Sequence, residues 1–225
     1  MSSWKLSVAV AALAVAGCSP AMPMVTDTGP VQDAAVVVDS GPPPQDTRTT
    51  EDTGVACQSI PTTNFCTAEN CNFRDISLPE CEEGGSDYRF YGTDFCTNQV
   101  TLLVIAAGWC VPCQMEAPMI ESLITQGSDS DGVPYAGRVR VINVYGQNPD
   151  YSAPTASNCR VWKARYHITA HMVTDPMGIS QIYFPNQAYP SNMLIDRHGV
   201  IRYRAYGTST GLTALRTQID SLLAE

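Results

Sequence analysis

The sequence predicts an α/β fold built on a buried central strand with helices around it and a cysteine-rich segment in front. Three observations carry the prediction. Val100–Ala107, VTLLVIAA, is an unbroken apolar run rich in β-branched residues, which fits a strand covered on both faces. From that run onward, strand-like and helix-like segments follow in the order β-α-β-α-β-β-α. Between the first such strand and the first helix stands GWCVPC, residues 108–113, a Cys-x-x-Cys pair at a strand-to-helix junction.

Each element has its own signal. Residues 57–98 contain cysteines 57, 66, 71, 81 and 96, the turn-forming Gly84-Gly85, and a polar–aromatic alternation over Asp87–Tyr91 that predicts a short strand. Gly108 and Trp109 end the central strand. Cys113, Ala117, Ile120 and Ile124 then share one face of a helix predicted from Cys110 to about Thr125. Arg138–Tyr145 reads as a second strand and Thr155–Tyr166 as a second helix. Ser191–Asp196 and Val200–Tyr206 read as strands joined by a tight turn over Asp196–Gly199, and Leu212–Leu223 as a final amphipathic helix.

The first 56 residues have a different character. Lys5 precedes an apolar run of 11 residues, Leu6–Ala16, which is short for a bilayer span and suits the core of a signal peptide, so residues 1–17 read as a signal. The run ends in Val15-Ala16-Gly17-Cys18, which resembles the lipobox of bacterial lipoproteins. That resemblance implies that Cys18 is acylated, becomes the mature N-terminus and anchors the chain to a membrane without spanning it. Ser19, in place of an aspartate, implies outer-membrane rather than inner-membrane sorting in a Gram-negative host. Residues 18–56 hold six prolines, six acids against the lone Arg48 and no aromatic residue, too little apolar surface to order themselves, and read as a disordered acidic tether. The tether carries five of the nine net negative charges, which leaves the domain at 57–225 only mildly acidic. That domain shows no basic stripe and no basic–aromatic interleaving, which argues against nucleic acid as a partner.

With Cys18 set aside, eight cysteines remain, an even count that favours disulfides in an exported chain. Cys57, Cys66, Cys71, Cys81, Cys96 and Cys159 read as structural disulfide candidates, and the sequence does not choose among their pairings. Zinc at Cys66, Cys71 and Cys81 would need a second Cys-x-x-Cys or a nearby histidine to complete the site. His167 and His171 have the spacing of metal ligands on a helix. Ile168-Thr169-Ala170 between them reads instead as the exit of a helix into a strand, so both are expected to be solvated or capping, and His198 sits in a turn. Neither a metal nor an organic cofactor is expected.

A Cys-x-x-Cys pair is written alike by a structural disulfide, half a metal site and a redox dithiol. Its position separates them. The first turn of a helix leaves backbone N–H groups without partners, and these and the helix dipole favour an anion. A thiol at Cys110 would therefore be exposed, of low pKa and nucleophilic. Cys113, one turn deeper and partly buried, would close a disulfide with it or resolve a mixed one. Pro112 suits the first turn, where a missing N–H costs little. A metal site would want a second ligand pair, and a structural disulfide has no reason to open a helix.

The segment LLVIAAGWCVPCQMEAPMIESL, residues 102–123, resembles the active-site segment of the thioredoxin superfamily, and most of all its TlpA/ResA branch of extracytoplasmic thiol-disulfide oxidoreductases. Pro118 matches that family's helix-kinking proline and Glu116 an acid near the dithiol. Ala188-Tyr189-Pro190-Ser191 resembles the cis-proline segment, and Asp175-Pro176-Met177-Gly178 a loop of the same branch. The likeness covers roughly residues 73–224. It implies a thioredoxin-like fold with a central mixed sheet flanked by helices. It also implies redox chemistry at Cys110 and Cys113, proton transfer by Glu116, and substrate contacts at Trp109, Tyr189 and a cis Pro190. The implied partners are protein thiols and disulfides, with a membrane electron donor or acceptor. The chain departs from the pattern in three ways. Val104 stands where thioredoxin has a buried aspartate, which leaves Glu116 as the candidate acid. Tyr189 is bulkier than the usual residue, and six further cysteines lie outside the pattern.

Two other functions fit the same fold. A peroxide reductase would carry Pro-x-x-x-Thr-x-x-Cys, but Ala106 and Cys110 occupy the proline and threonine positions relative to Cys113. A copper-binding module would use two cysteines and a histidine, usually with wider cysteine spacing.

Overall fold

The computed structural model describes residues 60–82, 84–128, 131–184, 188–207 and 211–225. Its elements in chain order are β1 (Ser77–Pro79), β2 (Asp87–Arg89), β3 (Val100–Ala107), α1 (Val111–Gln126), β4 (Val139–Gln147), α2 (Ala156–Arg165), β5 (His171–Thr174), β6 (Ser191–Asp196), β7 (Ile201–Tyr206) and α3 (Gly211–Leu223). Every residue of β3 is buried, as an unbroken apolar strand demands. It is the middle strand of a five-stranded sheet ordered β5-β4-β3-β6-β7. β3 and β4 are parallel, as are β4 and β5, whereas β6 runs antiparallel to both β3 and β7. This is the mixed sheet flanked by helices that the resemblance implies.

Alternation along β3 splits the core into two faces. Val100, Leu102 and Val104 pack with Ile120 and Leu123 of α1 and with Leu215 and Ile219 of α3. Leu103 and Ile105 face the other way, onto Phe73, Ile76, Phe90, Tyr91 and Phe95. The cysteine-rich segment is thus half of the core rather than an appendage. Arg140 of β4 ties it down: its guanidinium donates to the Phe90 carbonyl at 2.7 Å and the Asp94 carboxylate at 3.1 Å, and lies 4.7 Å over the Phe90 ring.

Element ends follow local chemistry. Thr155 caps α2 by accepting from the Asn158 N–H at 3.2 Å. The β6–β7 turn closes through Gly199 at φ +80°, with the Asp196 carboxylate accepting from the His198 and Val200 N–H groups. Pattern reading passed over β1 and met β5 only as an unbounded strand after Ala170. Each has at most four residues, too few for a period-two signal, and forms only because a neighbour pairs with it.

Three disulfides are defined: Cys66–Cys71, Cys81–Cys159 and Cys110–Cys113. Cys96 is disulfide-bonded as well. Cys18, Cys57, the signal and the tether lie outside the described residues. The two structural pairs sit at opposite edges of the sheet. Beside Cys71, the chain pairs with β7 through Asn70 N–H to the Ile201 carbonyl at 2.7 Å and Ile201 N–H to the Cys71 carbonyl at 2.9 Å. Beside Cys81, it pairs with β5 through Cys81 N–H to the Met172 carbonyl at 3.2 Å. Covering both edges removes the templates for strand addition. Cys81–Cys159 joins residues 78 apart and Cys66–Cys71 residues 5 apart. On loop entropy, removing the first pair should cost about 4 kcal/mol and the second about 2 kcal/mol. Urea unfolding of the two double Cys→Ala variants checks that order; an equal or reversed loss contradicts it.

Candidate active site

The site begins where β3 becomes α1. Gly108 passes between Tyr145 and Pro149 so closely that a Cβ would lie 2.4 Å from the Tyr145 hydroxyl and 2.9 Å from Pro149 Cδ. Its N–H donates to the Gln147 carbonyl at 2.8 Å, and its carbonyl accepts from the Gln114 amide at 3.1 Å. Cys110 is the N-cap of α1, in extended conformation at φ −79° and ψ 101°. The Cys113 N–H donates to Cys110 Sγ at 3.1 Å. The two cysteines form a disulfide with Cα atoms 5.3 Å apart. One helix turn thus supplies both sulfurs and a backbone donor aimed at the first.

The expected exposure of Cys110 is corrected by the fold. Cys110 is 2 % exposed and Cys113 1 %. Trp109 and Tyr189 pack against the same apolar cluster as the sulfurs. Trp109 stacks on Tyr151 at 4.9 Å, meets Tyr189 edge-on at 5.6 Å, and donates from Nε1 to the Gln147 side chain at 2.9 Å. These rings come from three separate loops, and no local pattern shows their convergence.

The Tyr189–Pro190 bond is cis, as the resemblance implies. Tyr189 leans over Gly146, where a Cβ would stand 2.7 Å from its hydroxyl, and that hydroxyl accepts from the Gln181 amide. Burial, reinforced by Asp175, pushes the Tyr189 hydroxyl up to about 12, so it stays protonated at neutral pH. A cleft of about 310 Å³ opens here, lined by Gly146, Gln147, Asp175, Met177, Gln181 and Tyr189. The Asp175 carboxylate organises its loop, accepting from the Ile179 and Ser180 N–H groups at 2.8 and 2.7 Å.

Glu116 lies one helical turn beyond Cys113 and is 9 % exposed. Its Oε1 accepts from Asn192 Nδ2 at 2.9 Å. Asn192 is the register partner of Val104 across β3 and β6. The α1 carboxyl is therefore held over the strand pair that includes the position where thioredoxin has its aspartate. Asn192, Gln147 and Tyr151 escaped sequence reasoning. For Asn192 a signal existed, an amide in the buried strand SNMLID, two residues after Pro190.

Of the other candidates, Cys81 and Cys159 lie in the same apolar cluster as the dithiol, while Cys66 and Cys71 lie at the β7 edge. α2 ends at Arg165, His167 follows it at φ +54°, and His171 begins β5, 3.9 Å from Asp94, so the two do not share a helix. Among the described residues no three His, Cys, Asp or Glu side chains gather as a metal site. No helix there is long and apolar enough to cross a membrane.

Burial raises the Glu116 carboxyl above its ordinary value, and the Asn192 hydrogen bond opposes this. The folded chain thus holds this proton to higher pH than the unfolded chain does. Stability contributed by Glu116 is complete below the unfolded value and is lost as pH rises through the folded one. Glu116→Gln should match wild type near pH ~4 and exceed it near pH ~7 in urea midpoint. Parallel profiles for the two proteins would contradict this.

The comparisons agree with this geometry. The Redoxin family matches residues 67–219. A protein named as thiol:disulfide interchange protein DsbE from Chlorobium tepidum is 20% identical, with a TM-score of 0.53 over 69% of this chain and 98% of that one. One named as a disulfide isomerase from Bacteroides thetaiotaomicron is 19% identical, with a TM-score of 0.53 over 70% and 91%. One named as a thioredoxin from Neisseria meningitidis is 20% identical, with a TM-score of 0.50 over 68% and 89%. No curated protein matches the chain. The solved structures establish the thioredoxin-like fold, and the family match spans both halves of the site, from the Cys110–Cys113 helix to the cis-proline strand: the chain belongs to the Redoxin family.

Proposed function

We propose that this chain is a TlpA/ResA-type thiol-disulfide oxidoreductase that exchanges disulfides with extracytoplasmic proteins. One observation carries the reading: the Cys110–Cys113 disulfide caps α1, with the Cys113 N–H on Cys110 Sγ, in the cluster that also holds the residue before cis Pro190. In the reducing direction, the Cys110 thiolate attacks one sulfur of a partner disulfide. A mixed disulfide forms and one partner thiolate leaves. Cys113, deprotonated with help from Glu116, then attacks Cys110 Sγ. The second partner thiolate leaves and the Cys110–Cys113 bond closes, so two electrons have passed to the partner. The oxidising direction is the reverse.

Both sulfurs are buried and Trp109 and Tyr189 pack against their cluster, which supports entry of the partner's disulfide beside these two rings. Those two residues, with the backbone before Pro190, are assigned to substrate contact. Direction depends on the stability of the Cys110 thiolate: a potential near ~−270 mV marks a reductase and one near ~−120 mV an oxidant. A membrane partner would supply or take up the electrons. The lipobox resemblance at Cys18 supports a lipid anchor facing the periplasm, with the outer membrane favoured.

Cys113→Ser should accumulate partner proteins as covalent adducts through Cys110 that a reductant releases, because the resolving thiol is gone and an intramolecular attack is lost. Cys110→Ser should accumulate few. Non-reducing gels with mass spectrometry read the result; equal adducts in both variants overturn the assignment. Cys18→Ala should leave unprocessed precursor or abolish membrane association on fractionation; a processed variant that still pellets with membranes refutes the anchor.

A further inference from the structure

The dithiol's helix and the cis-proline strand are joined by one polar contact that the steps above do not use. Asn192 is 4 % exposed, in a strand whose other residues are all buried. Its Nδ2 donates to Glu116 Oε1 at 2.9 Å, while its Oδ1 is buried with no hydrogen-bond partner. An orphaned buried acceptor is costly in a native core. Glu116, already bonded to this amide, can itself supply the matching donor. Once protonated, its second oxygen carries an O–H, and a carboxylic acid and a primary amide form a planar two-bond pair. The same amide then has a bond for each form of the acid: N–H to the carboxylate, and C=O from the acid.

We infer that Asn192 is the positioning residue for proton transfer at Cys113, holding Glu116 toward that thiol and satisfying the carboxyl in both protonation states. The inference rests on the proposed role of Glu116. In the transfer, the Cys113 S–H proton passes to Glu116, leaving a thiolate and a neutral acid whose O–H bonds Asn192 Oδ1. The proton leaves Glu116 when a thiolate is next reprotonated, so none is created or lost. Register explains why Asn192 has this place. It stands opposite Val104, and directly opposed residues of an antiparallel pair share a face, here the face covered by α1. One further polar group shares this row: Asn143 of β4, the register partner of Val104 on its other side, is buried and its Nδ2 has no hydrogen-bond partner. Val104 comes from β3, α1 also carries Cys113 and Glu121, the latter bonded to Thr169, and no charged side chain among the described residues shifts Glu116.

The sign of the effect follows from the bond the structure shows: Asn192 Nδ2 donates to Glu116 Oε1 and holds the carboxyl down against burial, so removing the amide favours the acid. Asn192→Leu should therefore raise the pH midpoint of the Cys113 step by about one unit. Asn192→Asp, which keeps the shape, should raise it further, because two adjoining carboxyls share one proton.

The experiment is single-turnover reduction of a fluorescent peptide disulfide by the full reduced chain, followed from pH ~5 to ~9. The second phase, release of the peptide by Cys113, is compared in wild type, Asn192→Leu, Asn192→Asp, Glu116→Gln and Glu116→Gln/Asn192→Leu. The expected result is an upward shift in both Asn192 variants and none between Glu116→Gln and the double variant. A purely structural Asn192 would slow both phases without moving the midpoint. Should Asn192→Leu not fold, the Asp variant carries the test. A wild-type midpoint in the Asn192 variants, or a shift of equal size in the Glu116→Gln background, overturns the inference while leaving Glu116's role intact. A wild-type profile in Glu116→Gln overturns that role and the inference with it.

Discussion

The structure depends on one close passage of backbone, at Gly108. The end of β3 must turn into α1 while Tyr145 of the neighbouring strand and Pro149 just beyond that strand crowd it, and a Cβ would meet the tyrosine oxygen. A residue without a side chain lets the helix start at that depth. Everything chemical then follows by helical spacing. Cys110 becomes the cap, Cys113 points into the core one turn later, and Glu116 comes to rest over the sheet a further turn on. A helix started farther out would set the same residues in water, where a backbone N–H does less for a sulfur and a carboxyl has no reason to hold its proton.

That depth needs a rigid floor, and the cysteine-rich segment helps to provide it. It covers one whole face of β3 with aromatic rings and lies along both sheet edges. Arg140 is the point where this arrangement is most exacting. A guanidinium with a side chain 3 % exposed depends on its partners, and those found for its Nε and Nη1, Phe90, Asp94, Tyr88 and Thr101, come mostly from the segment itself. Removing one partner from such a group leaves a buried charge uncompensated, which is far more costly than losing a surface ion pair. The disulfide beside each edge keeps the segment from peeling away and exposing strands able to pair with other chains.

The acid shows how a chemical requirement can be met from a different element. With Val104 in the strand, β3 offers no carboxyl. α1 brings Glu116 over the same strand pair, and β6 answers with an amide at the register position opposite the valine. The carboxyl is attached to the same helix as the thiol it would serve, so the two keep their spacing wherever the helix goes. The amide that steadies it follows directly on the cis-proline segment, which links the proton-handling groups to the wall of the cleft.

By itself, the sequence determined whatever is local in period or spacing. An eight-residue apolar run has one sensible place in an α/β sheet, and it is the middle strand. A cysteine pair after that run and before a helical stripe has to cap the helix. The Asp196–Gly199 turn was legible for the same reason, since backbone conformation there is written in single residues. Only the tertiary structure decided how the cysteines pair, that the strand after Ala170 pairs with β4, that Arg140 is buried, and that Trp109 and Tyr189 pack against a cluster that buries the Cys110 read as exposed. Apart from Cys66–Cys71, which are 5 residues apart, each of these joins residues tens of positions apart. Such contacts form because packing the sheet leaves no room for alternatives, and that limit belongs to the whole fold rather than to any stretch of chain.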